Sequence, residues 1–176
     1  MSDHNDLIHM VEAFQEAVNQ HDVDKVMSMF TEDAEFEIVG VSKYSGKQQI
    51  RNVFEYDVGV NTELKFMNCK SEGNTVRCQA LERNDRLAAI GIDELKYTSS
   101  IFVFSDRRIR SFISEIPPEV VQYNREVWKK FIPWLSKKYP DEHLKMFTSD
   151  GRFNYSRANG RGVVLFLKRW RGVNDT

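Results

Sequence analysis

The chain reads as an α+β domain in which a curled antiparallel sheet packs on amino-terminal helices, followed by a mainly helical extension. Three observations predict this. Over residues 76–85 and again over 97–104, apolar and polar residues alternate with period two, and a turn at Ser105-Asp106-Arg107 returns the chain into residues 109–114. Such alternation, rich in β-branched and aromatic residues, marks an antiparallel meander with one face buried. Ahead of it, Leu7, Ile8, Val11, Phe14, Ala17 and Val18 recur at three- and four-residue spacing, which makes the apolar stripe of a helix. Beyond Pro117-Pro118, Val120, Val121, Val127, Trp128, Phe131, Ile132 and Leu135 repeat the helical spacing in a segment of different composition.

In order, Asp6 is placed to cap the first helix, which Asn19-Gln20-His21 ends. Asp22 caps a second, with Val23, Val26, Met27, Met29 and Phe30 turned inward. Thr31-Glu32-Asp33 breaks it before a short strand over 34–39, and residues 40–46 read as a loop. A third helix over 47–58 buries Ile50, Val53 and Phe54. Strands follow at about 61–71 and 75–86, joined by a two-residue turn at Gly73-Asn74, and a small-residue break at Ala88-Ala89-Ile90-Gly91 leads into the meander. After residue 117 a helix runs to Tyr139-Pro140, with Pro133 as a kink point. A short helix over 142–147 comes next, then a loop punctuated by Asp150-Gly151 and Asn159-Gly160, and residues 163–167 suit a last helix or a strand. There is no internal repeat.

A chain of 176 residues supports one domain, 1–117, with the extension 118–176 docked on it. The balance of 25 Lys+Arg against 26 Asp+Glu leaves no global field for nucleic acid or an acidic membrane. Arg152, Arg157, Arg161, Lys168, Arg169 and Arg171 read as basic stems covering an apolar helix rather than a nucleic-acid surface. The amino terminus is acidic and polar where a signal peptide needs positive charge and an apolar run, and no stretch approaches the roughly 20 apolar residues of a membrane span. A cytoplasmic protein is expected. Counting outward from the Gly73-Asn74 turn sets Cys69 opposite Cys78, and in a reducing cytosol the pair reads as two thiols packed side by side. His4, His9, His21 and His143 have no metal-ligand spacing, and no cofactor or metal is expected.

Residues 17–26, Ala17-Val18-Asn19-Gln20-His21-Asp22-Val23-Asp24-Lys25-Val26, run into Met29-Phe30-Thr31-Glu32-Asp33-Ala34 and resemble the opening of the SnoaL-like branch of the nuclear-transport-factor-2-like superfamily. The strand and turn Phe102-Val103-Phe104-Ser105-Asp106-Arg107-Arg108-Ile109 is similar to the same family. The resemblance spans about residues 6–116. It implies a cone-shaped sheet enclosing a cavity for a small apolar molecule, and relatives that include ketosteroid isomerases, polyketide cyclases, scytalone dehydratase and limonene-epoxide hydrolases.

At positions matching the isomerase pattern, Phe14 stands for the oxyanion-holding tyrosine, Ile38 for the base and Ser100 for the protonated acid, so steroid-isomerase chemistry is not expected. The epoxide-hydrolase pattern Glu-Arg-x-Asp is reproduced by Glu82-Arg83-Asn84-Asp85, but its second Asp falls on Ser114, and its water-orienting Tyr and Asn fall on Phe36 and Ile38.

Residues two apart in a strand share a face, so Arg83 and Asp85 are expected to project together into the cavity, Glu82 to point away, and Asp85 to be the acid or base with Arg83 as its partner. A structural ion pair is the plainer reading of the same two residues. Phe36, Ile38, Leu64, Phe66, Leu81, Phe102 and Phe112, with Phe14 from the helix and the polar Thr98, Ser100 and Ser114, are expected to line the pocket. The opposite face, with Met67, Cys69, Cys78 and Ala80, is apolar enough to suggest a homodimer or another interaction surface. The extension, carrying Trp128, Trp134 and Trp170, is expected to fold over the cavity mouth or over that outer face.

Overall fold

The computed structural model describes residues 2–174, with side chains from residue 6 to 172; the side chain of His4 lies outside that range. The elements are α1 (Ser2–Asn19), α2 (Val23–Ser28), β1 (Phe30–Ile38), β2 (Ser42–Ser45), α3 (Lys47–Gly59), β3 (Glu63–Glu72), β4 (Thr75–Arg83), α4 (Asp85–Ala89), β5 (Leu95–Ser105), β6 (Arg108–Glu115), α5 (Pro118–Lys138), α6 (Pro140–Met146) and α7 (Arg157–Asn174). The six strands form one sheet in the order β2-β1-β6-β5-β4-β3. Strands β3 to β6 are an antiparallel meander, and β1 returns parallel to β6.

The periodic segments fold as expected, and residues 163–167 lie in a helix. Several short features differ: Phe30 and Thr31-Glu32-Asp33, expected in the second helix and as a break after it, open β1, and Asn159-Gly160, expected in a loop, lies inside α7. Helix α1 starts before Asp6, which pairs with Arg107 at 3.4 Å instead of capping. The expected loop contains β2, whose four residues are too few to show alternation. The strand expected over 75–86 ends at Arg83, and α4, five residues capped by Asn84, takes its last two positions and the start of the small-residue break; the Asn84 side chain accepts from the Leu87 amide at 2.7 Å. Asp22 caps α2 as expected, accepting from the Lys25 amide at 3.0 Å.

The concave sheet face packs on α1, α2 and α3 through aromatic rings. Phe14 and Phe102 are fully buried, with centroids 5.5 Å apart in an edge-on arrangement. The tail does not cover the opposite face. Helices α5 to α7 bury Val127, Phe131, Leu135, Val163 and Leu167 in a second core shared with Tyr56 and Val60 of the α3 end and Ile90 after α4. The extension therefore sits over the helical end of the cone.

Two irregularities in the sheet decide which side chains face inward. In the β3–β4 hairpin the pairing runs Glu72↔Thr75 and Lys70↔Arg77, then shifts to Met67↔Gln79 and Phe66↔Ala80. The residue inserted is Asn68, at φ 52, a left-handed conformation that asparagine tolerates better than most side chains. A one-residue slip turns each later side chain to the other face. Phe66 thus shares the inner face with Ala80 and Glu82, not with Leu81 and Arg83. A second shift, between Cys78↔Ser100 and Ala80↔Tyr97, puts Tyr97 inward and leaves Thr98 exposed.

Cys69 lies opposite Cys78 as counted, but the two are joined in a disulfide rather than left as thiols, and both pack against the inner core. Ala80 is also buried inside. Of the four residues that suggested an interaction surface, Met67 alone stays on the outer face.

Candidate functional site

Between the concave sheet, α3, α4 and the extension lies a cavity of about 440 Å³. Its floor is aromatic. Phe36 and Phe112 stack with centroids 5.1 Å apart, and Phe66 closes the adjacent side. One rung above, Ser100 and Ser114 are buried and hydrogen-bonded to each other at 3.0 Å, with Ile38 beside Ser114 in the neighbouring strand. The extension supplies an aromatic wall in which Tyr155 meets Tyr44 and Tyr56 edge-on at 5.4 and 5.2 Å, with Phe153, Phe147 and Trp128 beyond. At the mouth, Arg125 of α5 donates to the Gly40 carbonyl at 3.1 Å, tying the extension to the β1–β2 turn.

Of the residues expected to line the pocket, Phe36, Ile38, Phe66, Phe112, Ser100 and Ser114 do so, as does Leu64. Phe14 and Phe102 lie behind the floor in the solid core. Leu81, Arg83 and Thr98 are not on the cavity wall, because of the two sheet irregularities described above, and Asp85 is off it because β4 ends at Arg83 and α4 begins at Asp85 instead. Arg83 is two-thirds exposed and pairs with Glu94 at 2.8 Å. Asp85 opens α4 and accepts from the Asn61 side chain at 2.6 Å, while its amide donates to the Val60 carbonyl at 2.8 Å, so it fastens α4 to the α3–β3 connection. The two residues do not meet.

The polar end of the cavity is built from their neighbours. Glu82, Asn84 and Arg86 line it, facing Asp57 and Thr62 across from α3 and Tyr97 from β5. Both oxygens of Glu82 accept hydrogen bonds: one from the Tyr97 hydroxyl, the other from Asn84 at 2.6 Å. Asn84 therefore serves twice, its oxygen capping α4 and its amide nitrogen fixing Glu82. Arg86 donates to Asn124 of α5 at 3.2 Å.

Asp57 sits on the same helical stripe as Ile50, Val53 and Phe54, open to the cavity but enclosed by helix and sheet. Burial, reinforced by the Glu82 carboxylate, holds its carboxyl well above the usual aspartate range, and Thr62 and Arg86 offset this only in part. Burial and Glu82 likewise raise the Tyr97 hydroxyl. Burial raises Tyr44, Tyr56 and Tyr155 as well, so all of these phenols are neutral donors at physiological pH. The Thr62 hydroxyl is buried on the cavity wall beside the Asp57 carboxyl.

Two signals in the sequence pointed to this cluster. An aspartate on an apolar helical stripe is one. An asparagine inside an alternating strand is the other, because it marks a place where the face can switch. Among the described residues, no three His, Cys, Asp or Glu side chains group as metal ligands. No helix among them is long and apolar enough to cross a membrane.

The cone of sheet and helices matches known proteins. Residues 11–78 match the profile of the SnoaL-like domain family. Over that segment the chain is similar to SnoaL-like domains. In three dimensions it is similar to an LEH-like epoxide hydrolase of M. tuberculosis, with 19% identity, a TM-score of 0.58, and 77% of this chain and 98% of that one covered. It is also similar to the epoxide hydrolase/cyclase-like enzyme SalBIII, which has a role in pyran ring formation in the polyether salinomycin, with 20% identity, a TM-score of 0.60, and coverage of 68% and 96%. An NTF2-like protein of unknown function from Cytophaga hutchinsonii aligns at 15% identity and a TM-score of 0.55, covering 66% of this chain and 94% of that one. No curated protein matches by sequence. At these identities the structural likeness establishes the fold. The profile match ends at Cys78, so Glu82, Arg86, Tyr97 and the residues from the extension all lie beyond it.

Proposed function

We propose that the SnoaL-like cavity binds a small, mostly apolar, uncharged molecule bearing oxygen, and that Asp57 and Glu82 move protons on it. The observation that carries this reading is the placement of two carboxyls, from α3 and β4, at the polar end of an otherwise aromatic cavity. Their surroundings differ. Burial and its neighbour hold the Asp57 carboxyl well above its usual range, which suits it to donate a proton. Glu82 accepts hydrogen bonds at both oxygens, as an ionised carboxylate does, which makes it an acceptor. A carboxyl held above its usual range beside one that accepts hydrogen bonds at both oxygens can serve as an acid–base pair.

With an epoxide, the step balances as follows. Glu82 takes a proton from a water or from a hydroxyl of the substrate itself. That oxygen forms a bond to an epoxide carbon as the carbon–oxygen bond of the ring breaks, and Asp57 gives its proton to the departing oxygen. The product is a diol or a cyclic ether, and the pair resets by proton exchange with solvent. The likeness in fold to an LEH-like epoxide hydrolase and to SalBIII supports this class, with the pair at Asp57 and Glu82 in place of Arg83 and Asp85.

A panel of small epoxides, hydroxy-epoxides and hydroxy-ketones, followed by mass spectrometry, tests the proposal. Glu82→Gln and Asp57→Asn are each expected to lower turnover by about 10²–10⁴-fold, and Asp85→Asn to leave it unchanged. Turnover that survives in Glu82→Gln would refute the assignment, and a retained ligand with no turnover would leave a binding protein.

A further inference from the structure

We infer that Asn124, in the extension and beyond the matched family region, is a positioning residue that holds Arg86 away from the two carboxyls. The inference rests on the reading of Asp57 and Glu82 as a pair. Arg86 shares the cavity's polar end with both, yet among the described residues it forms no ion pair within 4 Å, and its hydrogen bond goes to the neutral Asn124 oxygen at 3.2 Å. Free of that hold, a guanidinium beside a carboxylate closes into a forked ion pair. Such a pair would occupy Glu82 and stabilise Asp57 as an anion, removing acceptor and donor together.

The geometry shows how the hold is made. Helix α5 clasps α4 at two adjacent residues: Tyr123 donates to the Ile90 carbonyl at 2.5 Å, just past the end of α4, and Asn124 takes the Arg86 side chain near its start. Asp85 pins the same turn from the other side through the Val60 carbonyl and Asn61. Helix α4 is thus fixed as a unit, and the direction of Arg86 depends on its one side-chain acceptor. The extension is then more than a cover over the mouth, since it sets the electrostatics of the carboxyl pair.

The groups around Asp57 are Glu82, Arg86, Tyr97, Tyr56 and Tyr44 from the domain and Tyr155 from the extension, with Arg125 at the cavity mouth, and His21 and Asp22 on the side toward the α1–α2 turn. The tyrosines are neutral through the working range, and beyond burial itself the charged groups that act on Asp57 are Glu82, which raises it, and Arg86, which lowers it.

The test is a titration of the aspartate side-chain carboxyls by NMR in the ligand-free full chain, with Asp57 assigned by comparison with Asp57→Asn. In Asn124→Ala, Arg86 is expected to swing onto the carboxyls and lower the Asp57 midpoint by about 1–3 pH units. Asn124→Asp keeps an acceptor for the guanidinium and is expected to leave the midpoint as high as in the parent chain or higher. A merely structural role would lower thermal stability in both variants without separating their midpoints. The inference is overturned if Asn124→Ala keeps the parent midpoint while folded, or if both variants move it alike. A parent midpoint in the ordinary aspartate range would instead bring down the acid–base pair itself.

Discussion

Replacing Gly59 with Ala tests whether the extension and the sheet-and-helix domain are one cooperative body. A Cβ at Gly59 would stand 2.3 Å from the backbone carbonyl oxygen of Arg157, and one at Gly160 would stand 2.8 Å from that of Tyr56, so α3 and α7 cross with backbone against backbone at these two glycines. In an unobstructed helix the exchange gains about 1 kcal/mol from helix propensity. Here the obstacle is main chain, which no rotamer change relieves, so α7 must move away and loosen Val163, Val164 and Leu167 from Tyr56 and Val60. Overpacking of this kind costs about 1–3 kcal/mol and can exceed it, and it outweighs the propensity gain. Less the propensity gain, the upper part of that range leaves an expected net loss of about 1–2 kcal/mol, or about 2–4 °C in Tm for each kcal/mol lost in a chain of this size. Denaturant unfolding can be followed by two probes, because Trp128, Trp134 and Trp170 all lie in the extension while far-UV circular dichroism reports the whole chain. One coincident transition, shifted downward in Gly59→Ala, is expected. The reasoning fails if Gly59→Ala is as stable as the parent, or if the tryptophan transition separates from that of the sheet in the parent chain.

Two more predictions concern the cavity and the hairpin. Asp57 has a raised folded-state pKa, so its contribution to stability is fully present below the unfolded value of about 3.9 and is lost as pH rises from there through the folded one. Asp57→Asn should therefore be more stable than the parent at pH 7, with the difference shrinking toward pH 4 in paired urea melts; an Asn variant less stable at pH 7 would refute a protonated, buried Asp57. The Cys69–Cys78 bond closes a short loop with a sequence separation of 9. Reducing it, or replacing Cys69 with Ser, should cost about 2–3 kcal/mol on the loop-entropy scale, measured as a lower urea midpoint in the presence of reductant, and an unchanged midpoint would count against a formed bond.

The sequence by itself determined the elements and the class of fold, because those follow from periodicities that each segment carries alone. The stripe of Val11, Phe14 and Ala17 makes α1 amphipathic wherever it packs, and the alternation through Phe102 and Phe104 makes β5 a half-buried strand in any sheet. The Gly73-Asn74 turn fixed the hairpin ends, which is why Cys69 and Cys78 were correctly set opposite each other. Only the tertiary structure decided which face of β4 looks inward. Alternation fixes faces relative to their neighbours in one strand, and a single left-handed residue, Asn68, exchanges them between strands at little local cost. That exchange replaced Arg83 and Leu81 with Glu82 and Ala80 on the cavity wall, and the shift in β5 did the same for Thr98 and Tyr97. Asp57, Arg86 and Asn124 belong to three helices far apart in the chain, and no local pattern records that α3, α4 and α5 meet at one end of the cone. Their meeting depends on packing the second core of Phe131, Leu135 and Val163 against Tyr56 and Val60, which is a property of the folded whole.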